Sequence, residues 1–314
     1  MSSRVRPFRV SALISARSRA LMRAMPLAIE GDVRGLHQAR VASRRLREAV
    51  PVLSTGLKGG KAKKARRTIR KITRALGSVR ELDVALTLID ELAAADDISR
   101  PALQEVRLHV ASERDRRREQ MLARLSSVDI GKLDRRLTKL GAASDEDPAV
   151  AWREALAGRL LRGAKRLAQS VAAAGQLYAP DQLHQVRIDA KKLRYALELA
   201  SDSGVLAARS LVTAVKKVQL TLGTLHDLQV LQSHVAAVQL AQASEAAAPH
   251  EALAAIAGRI EEQCRVLHGR YITVAPRLLE VVALVRTDVV PKLAAARPLK
   301  MSLARATRAA RAMS

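Results

Sequence analysis

Two short stretches of this chain repeat the same chemistry. Residues 36–50 read LHQARVASRRLREAV, and residues 183–197 read LHQVRIDAKKLRYAL. Seven of the fifteen positions are identical, and Val41/Ile188, Arg44/Lys191 and Arg45/Lys192 exchange like for like. At 100° per residue, Arg40, Arg44 and Arg47 fall within about 80° of His37 on one helical face. The second copy places His184, Arg187, Lys191 and Arg194 in the same way. A stripe of guanidinium and ammonium groups headed by an imidazole suits phosphate oxygens, which accept charge-assisted and sometimes bidentate hydrogen bonds. It does not suit general-base catalysis, because no carboxylate is positioned to orient either histidine. Neighbouring cations lower an imidazole pKa and a bound polyanion raises it, so each histidine should donate best at mildly acidic pH.

A second motif follows each stripe. LGSVRELDV starts at Leu76 and LGTLHDLQV at Leu222, which are 39 residues after His37 and 38 after His184. The matched separation reads as an internal duplication. Between the motifs of the first half, Lys63, Arg67, Arg70, Lys71 and Arg74 oppose Ala65, Ile69, Ile72 and Leu76; the second half keeps only Lys216 and Lys217 there. Ordinary solvated helix faces mix charge signs, as residues 112–119 (SERDRRRE) do, because like charges one turn apart repel. The repeat stripes do not mix signs: Glu48 and Glu198 fall at their flanks or beyond. A ligand is therefore expected. The candidate contacts are His37, Arg40, Arg44, Arg45, Arg47, Lys63, Arg67, Arg70, Lys71, Arg74 and Arg80, with His184, Arg187, Lys191, Lys192, Arg194, Lys216, Lys217 and His226. Glu81, Asp83 and Asp227 lie among bases and are read as buttresses rather than metal ligands, and Asp189 as the partner of a basic neighbour.

These side chains need helices to carry them. Opposite the stripes lie Ala39, Ala42, Leu46, Ala49, Val50 and Leu53 in one copy and Val186, Leu193, Ala196 and Leu197 in the other, the spacing of amphipathic helices. The first half parses into helices at about 9–29, 33–55, 60–94 and 100–127, with a short segment near 129–141. Pro26 with Gly31-Asp32, then Gly56 with Gly59-Gly60, then Pro101 punctuate it. A linker at 143–148 precedes helices at about 149–174, 181–202, 205–243 and 249–288. Gly77 and Gly223 fall inside helical patterns, where a kink or close packing is expected. Four helices per half with short connections read as two tandem up-down bundles, an all-α fold. The segments are 1–143, 144–295 and a basic tail, 296–314, that carries Arg305, Arg308 and Arg311.

Composition limits the partner. The 314 residues carry 55 Lys+Arg against 30 Asp+Glu, a formal charge of +25, with Arg about three times as frequent as Lys. Such a surplus destabilises a compact chain by self-repulsion and calls for an anionic partner. Only five residues are Trp, Tyr or Phe, while 48% are hydrophobic in the broad sense. The core is thus sufficient, but the stacking platform of a single-strand nucleic-acid binder, worth about 1–3 kcal/mol per base, is missing. Trp152 and the tyrosines read as packing residues. Cys264 is the single cysteine, so neither an internal disulfide nor a cysteine zinc site is expected. Walker-type glycine loops and HExxH are absent, and no apolar run reaches membrane-spanning length. The Arg- and Ser-rich start, residues 2–23, superficially suits a targeting peptide but carries the apolar spacing of a first helix. A cytoplasmic location is expected.

H-x-x-R-V-x-x-R-R-L-R from His37 to Arg47, its second copy from His184 to Arg194, and the Leu-Gly segments resemble the CHAD family, named for conserved histidines in an α-helical domain. The resemblance covers about residues 8–295. It implies two four-helix bundles related by a pseudo-twofold axis, with basic helices facing a central groove that binds inorganic polyphosphate. It also implies association with polyphosphate granules in some bacteria. The chain departs from the pattern where His226-Asp227 replaces Arg80-Glu81 and where Gln229 stands opposite Asp83. Some family members are fused to a triphosphate tunnel metalloenzyme domain marked by ExExK; that motif is absent here. The expected protein is a non-enzymatic polyphosphate binder without cofactor, catalytic residue or metal. The rivals are non-specific DNA or RNA binding, for which charge alone suffices, and a histidine phosphotransfer bundle, which usually shows H-x-x-K-G.

Overall fold

The computed structural model describes residues 8–94, 99–146, 151–242 and 247–295. Five helices form the first half: α1 (Val10–Glu30), α2 (Val33–Leu53), α3 (Lys61–Ala93), α4 (Arg100–Ser126) and α5 (Ile130–Glu146). The second half contains α6 (Ala151–Ala174), α7 (Pro180–Asp202), α8 (Ala207–Ala241) and α9 (Ala247–Leu284). A one-turn π-helix, Val285–Val289, then leads into α10 (Val290–Ala295). No strand occurs among the described residues. The fold is all-α. The expected basic tail, 296–314, lies outside the described residues.

Local sequence sets the helix ends. Pro26 does not separate α1 from α2; it lies inside α1, which runs one further turn to Gly31. Gly31 adopts φ 104°, a left-handed conformation that glycine reaches without Cβ strain, and the Gly31 and Asp32 amides return to the Leu27 carbonyl. Asp32 then caps α2 by accepting from the Gly35 amide. Gly35 is needed for a second reason: a Cβ there would collide with Leu27 and the α1 backbone. The α1–α2 hairpin that carries the first stripe is therefore closely set.

Helix α5 is longer than the short segment expected, and the anticipated linker at 143–148 begins inside it. Leu133, Leu137 and Leu140 face the core at helical spacing. Polar contacts fix the helix along α1: Asp134 accepts from Ser18 Oγ at 2.6 Å, and Asp145 accepts from the Val10 amide at 2.8 Å. Ser144 Oγ reaches the Leu53 carbonyl at 2.9 Å, tying α5 to the end of α2. Five helices, not four, thus pack in the first half.

Neighbours follow the same order in both halves. α1 packs on α2, α2 on α3, α3 on α4, and α5 returns to α1; α6 packs on α7, α7 on α8, α8 on α9, and the end of α9 with α10 returns to α6. At the seam α2 meets α7 and α3 meets α8. The apolar cores, however, are not divided between halves. One cluster draws on α1, α2, α5, α6 and α7 with the near ends of α3 and α8, the last turns of α4, and the end of α9 through α10. The other unites the far ends of α3 and α4 with those of α8 and α9. Helix length explains this. α3 and α8 have 33 and 35 residues, about 50 Å each, and overhang α2 and α7, which have 21 and 23. Their overhanging apolar residues, among them Leu82, Ile89, Leu228 and Val235, are buried with α4 and α9 in a shared second core.

Candidate anion-binding site

The seam places the two histidine helices beside each other. Ala39, Leu46, Val50, Val186, Leu193 and Leu197 are fully buried beneath them, which leaves the opposite faces to line a cavity of about 380 Å³. His37, Arg40 and Arg44 enter from α2, and His184, Arg187 and Lys191 from α7. Arg80 and Glu81 enter from α3, and His226 and Asp227 from α8. Residues far apart in sequence thus converge on one small volume.

Most of its positive charge is uncompensated. Arg40, Arg44 and Lys191 have no ion-pair partner among the described residues, and Arg187 has only Asp227 at 3.7 Å. The Nε atoms of Arg40, Arg44 and Arg187 are buried without a hydrogen-bond acceptor. A buried donor left unsatisfied costs about 1–3 kcal/mol. Burial, reinforced by Arg187, Arg44 and Arg40, pushes the Lys191 ammonium down to about 6. Burial and Arg44 bring the Arg40 guanidinium to about 10, so it remains charged at neutral pH. His37 is lowered by burial and then by Arg80 and Arg40. His184 is lowered by burial, then by His226, Arg187 and Lys191. The arrangement concentrates cations and withholds counter-charge.

The carboxylates are few and engaged. Glu81 stands 3.8 Å from His226 Nε2, which is the chief cause of its depressed pKa. That distance exceeds an ordinary hydrogen bond. Burial raises Asp227 despite Arg187 beside it. The Nδ1 atoms of His184 and His226 lie 3.1 Å apart, so one ring must donate while the other accepts. Among the described residues no three His, Cys, Asp or Glu side chains are grouped to hold a metal.

Other predicted residues fall elsewhere. Arg45 pairs with Glu198 at 3.3 Å and, with Lys216, lines a larger cleft of about 1090 Å³ between α1, α2, α7 and α8. Arg47, Arg70 and Arg74 line a separate basic depression of about 330 Å³ with Arg66 and Arg159. Arg194 is held by Glu198 and lies 4.5 Å over the Tyr195 ring. Lys192 pairs with the buried Asp189 at 3.3 Å, the partner expected for that carboxylate. Lys71 bonds Ser127 Oγ, while Lys63, Arg67 and Lys217 are exposed and line none of these cavities. Glu48 and Glu198, read as flanking, instead neutralise parts of the stripes: Glu48 holds Arg47 and Arg159, and Glu198 holds Arg45 and Arg194. Asp83 belongs to Arg114 at 2.7 Å.

α3 and α8 run through Gly77 and Gly223 without interruption, and the close packing expected there is absent. A Cβ at Gly77 would approach only Arg40 Nε, at 4.0 Å, and one at Gly223 nothing. Sequence reading missed Arg9, Arg17, Arg23 and Arg209 in the cleft. The signal for the first three was the acid-free start of the chain. It also missed the role of Tyr178, whose hydroxyl accepts from Gln229 Nε2 at 3.0 Å at the edge of a third cavity.

An all-α fold with paired histidine helices over a basic seam defines a recognisable class. The CHAD domain family matches residues 12–236, and the chain belongs to that family. Its structure is similar to the CHAD domain from the plant Ricinus communis, with a TM-score of 0.63 at 21% identity over 88% of this chain and 97% of that one. It is also similar to PptA from Streptomyces chartreusis, with a TM-score of 0.59 at 16% identity over 84% and 97%. No curated protein matches the sequence. Among the described residues no helix is long and apolar enough to cross a membrane.

Proposed function

We propose that this protein binds inorganic polyphosphate in the seam cavity, as a binding module without catalysis. The observation that carries this reading is the set of buried, partnerless Nε donors on Arg40, Arg44 and Arg187 beside the partnerless Lys191. A ligand with closely repeated oxyanions satisfies these groups together. No Trp, Tyr or Phe lines the cavity, so bases gain little there, whereas a chain of phosphates needs no stacking surface. Attachment to polyphosphate granules would follow from such binding.

Calorimetric titration with long-chain polyphosphate, in competition with duplex DNA and tRNA at equal phosphate concentration, tests the reading. Tight binding at low salt and poor displacement by nucleic acid are expected. Five cations line the cavity, so the log–log salt slope should be at least about −3, taking the single-strand coefficient. Displacement by DNA at parity would overturn the ligand class, and absence of binding at low salt would overturn the site.

A further inference from the structure

Three cavities adjoin along the seam, and their charge is uneven. The central cavity shares His37 with the cleft beside α1, and shares His184 and His226 with a third cavity of about 680 Å³ between α7, α8 and α9. Arg9, Arg17, Arg23, Arg45, Arg209 and Lys216 line the cleft, against Glu198 and Asp202. The centre has five Lys or Arg side chains against Glu81 and Asp227. No Lys or Arg lines the third cavity; its charged groups are Asp181 and Glu261, and Tyr178, Gln229, Gln232 and Ser233 are neutral. Glu261 is ion-paired with Arg265 at 2.6 Å. Asp181 has no ion-pair partner among the described residues and sits in the first turn of α7, one turn before His184.

The repeat shows what changed. The residue three positions before the repeat histidine is Arg34 in the first copy and Asp181 in the second. The position occupied by Arg80 in the first Leu-Gly segment is His226 in the second. Both differences remove positive charge from the same end of the seam, and the first adds a carboxylate. A phosphate chain continuing beyond His184 would face like charge without a compensating cation, whereas one continuing past His37 meets a succession of guanidinium groups.

We propose that the groove is directional: a polyphosphate chain is held with one end at the His184–His226 pair, its body lies across the central cations and past His37, and Asp181 stops it from threading through. This rests on the polyphosphate reading and specifies how that ligand is held. An end phosphate differs from an internal one in carrying a second ionisable oxygen, which can share a proton with imidazole nitrogens. The His184–His226 pair brings two imidazoles together for that exchange, against the single His37 beside the basic cleft.

Sedimentation of the protein with polyphosphate of two defined lengths, one several times the other, tests the direction by the number of molecules bound per chain at saturation. End-holding predicts one molecule per chain end at both lengths. The Asp181→Arg/His226→Arg variant restores first-copy residues and should bind in proportion to length. Asp181→Arg alone changes only an exposed first-turn residue and serves if the double variant misfolds. Wild-type occupancy proportional to chain length would overturn the proposal. End-limited binding retained by both variants would overturn the role of Asp181. No binding at either length would instead bring down the polyphosphate reading itself.

Discussion

The two halves of this protein present the same side-chain positions to one cavity with different permanence of charge. In the first half the stripe consists of Arg40 and Arg44, and Arg80 reinforces it. Guanidinium groups keep their charge at any physiological pH. In the second half Arg187 is offset by Asp227, Arg44 is matched by Lys191, and His226 stands in the place of Arg80. Lys191, pushed down to about 6 by burial and the surrounding guanidinium groups, changes charge near neutrality where an arginine does not. On the polyphosphate reading, one half thus supplies a fixed anchor, and the other a charge that depends on pH and ligand. The difference teaches that a repeated scaffold can divide affinity from responsiveness by exchanging Arg for Lys or His at matched positions.

Reversing one central cation in each half should have the largest effect. Arg44→Glu/Arg187→Glu removes two charge-assisted contacts worth about 1.5–3 kcal/mol each, so polyphosphate affinity by calorimetry should fall at least about 100-fold. Single truncations then separate the halves. Arg40→Ala is expected to weaken binding about 10-fold or more, and Arg187→Ala clearly less, because Asp227 already offsets Arg187. Equal losses would refute the anchor assigned to the first half.

Lys191→Met sharpens the comparison from the stability side. The folded-state pKa lies below the ordinary 10.5, so the folded protein binds fewer protons and gains stability as pH rises from about 6 toward 10.5. Removing the ammonium should raise the melting temperature of the ligand-free protein near pH 6 and flatten that pH dependence. The same variant should bind polyphosphate more weakly. A lower melting temperature would contradict the strain ascribed to the buried ammonium.

Binding itself should depend on pH with the opposite sign. A polyanion raises the Lys191 pKa, so the complex takes up a proton above about pH 6 and affinity falls as pH rises, by up to about tenfold per unit for one linked proton. Below that value Lys191 is charged in both states and contributes no further dependence. Calorimetry in buffers of different ionisation enthalpy measures the uptake, which should nearly vanish in Lys191→Met. The smallest effect is expected on the outer face of α3, where Lys63→Ala/Arg67→Ala should change affinity less than about threefold, the range of screened, exposed charges.

Much of this was legible in residue spacing. The buried faces of α2 and α7, the positions of the long helices and the pairing of His37 with Arg40 and Arg44 follow from a period of 3.6, which a single chain carries in full. What escaped depended on partners. Arg45 and Arg194 look equivalent to Arg44 in sequence, yet Glu198 claims both. The exposed Lys63 and Arg67 share a helix with Arg80 but lie on turns that do not reach the seam. Helix α5 was cut short because its polar partners, Ser18 and Val10, stand more than a hundred residues away.

The sequence by itself determined the all-α class and the two stripes, and its net charge called for an anionic partner, since these depend on local periodicity, repetition and composition. Only the tertiary structure decided which cations share a cavity, which are neutralised by distant carboxylates, and that both cores draw on both halves. The physical reason is range: helix periodicity is set within a few turns, whereas burial and ion pairing depend on which surfaces the long helices α3 and α8 bring into contact.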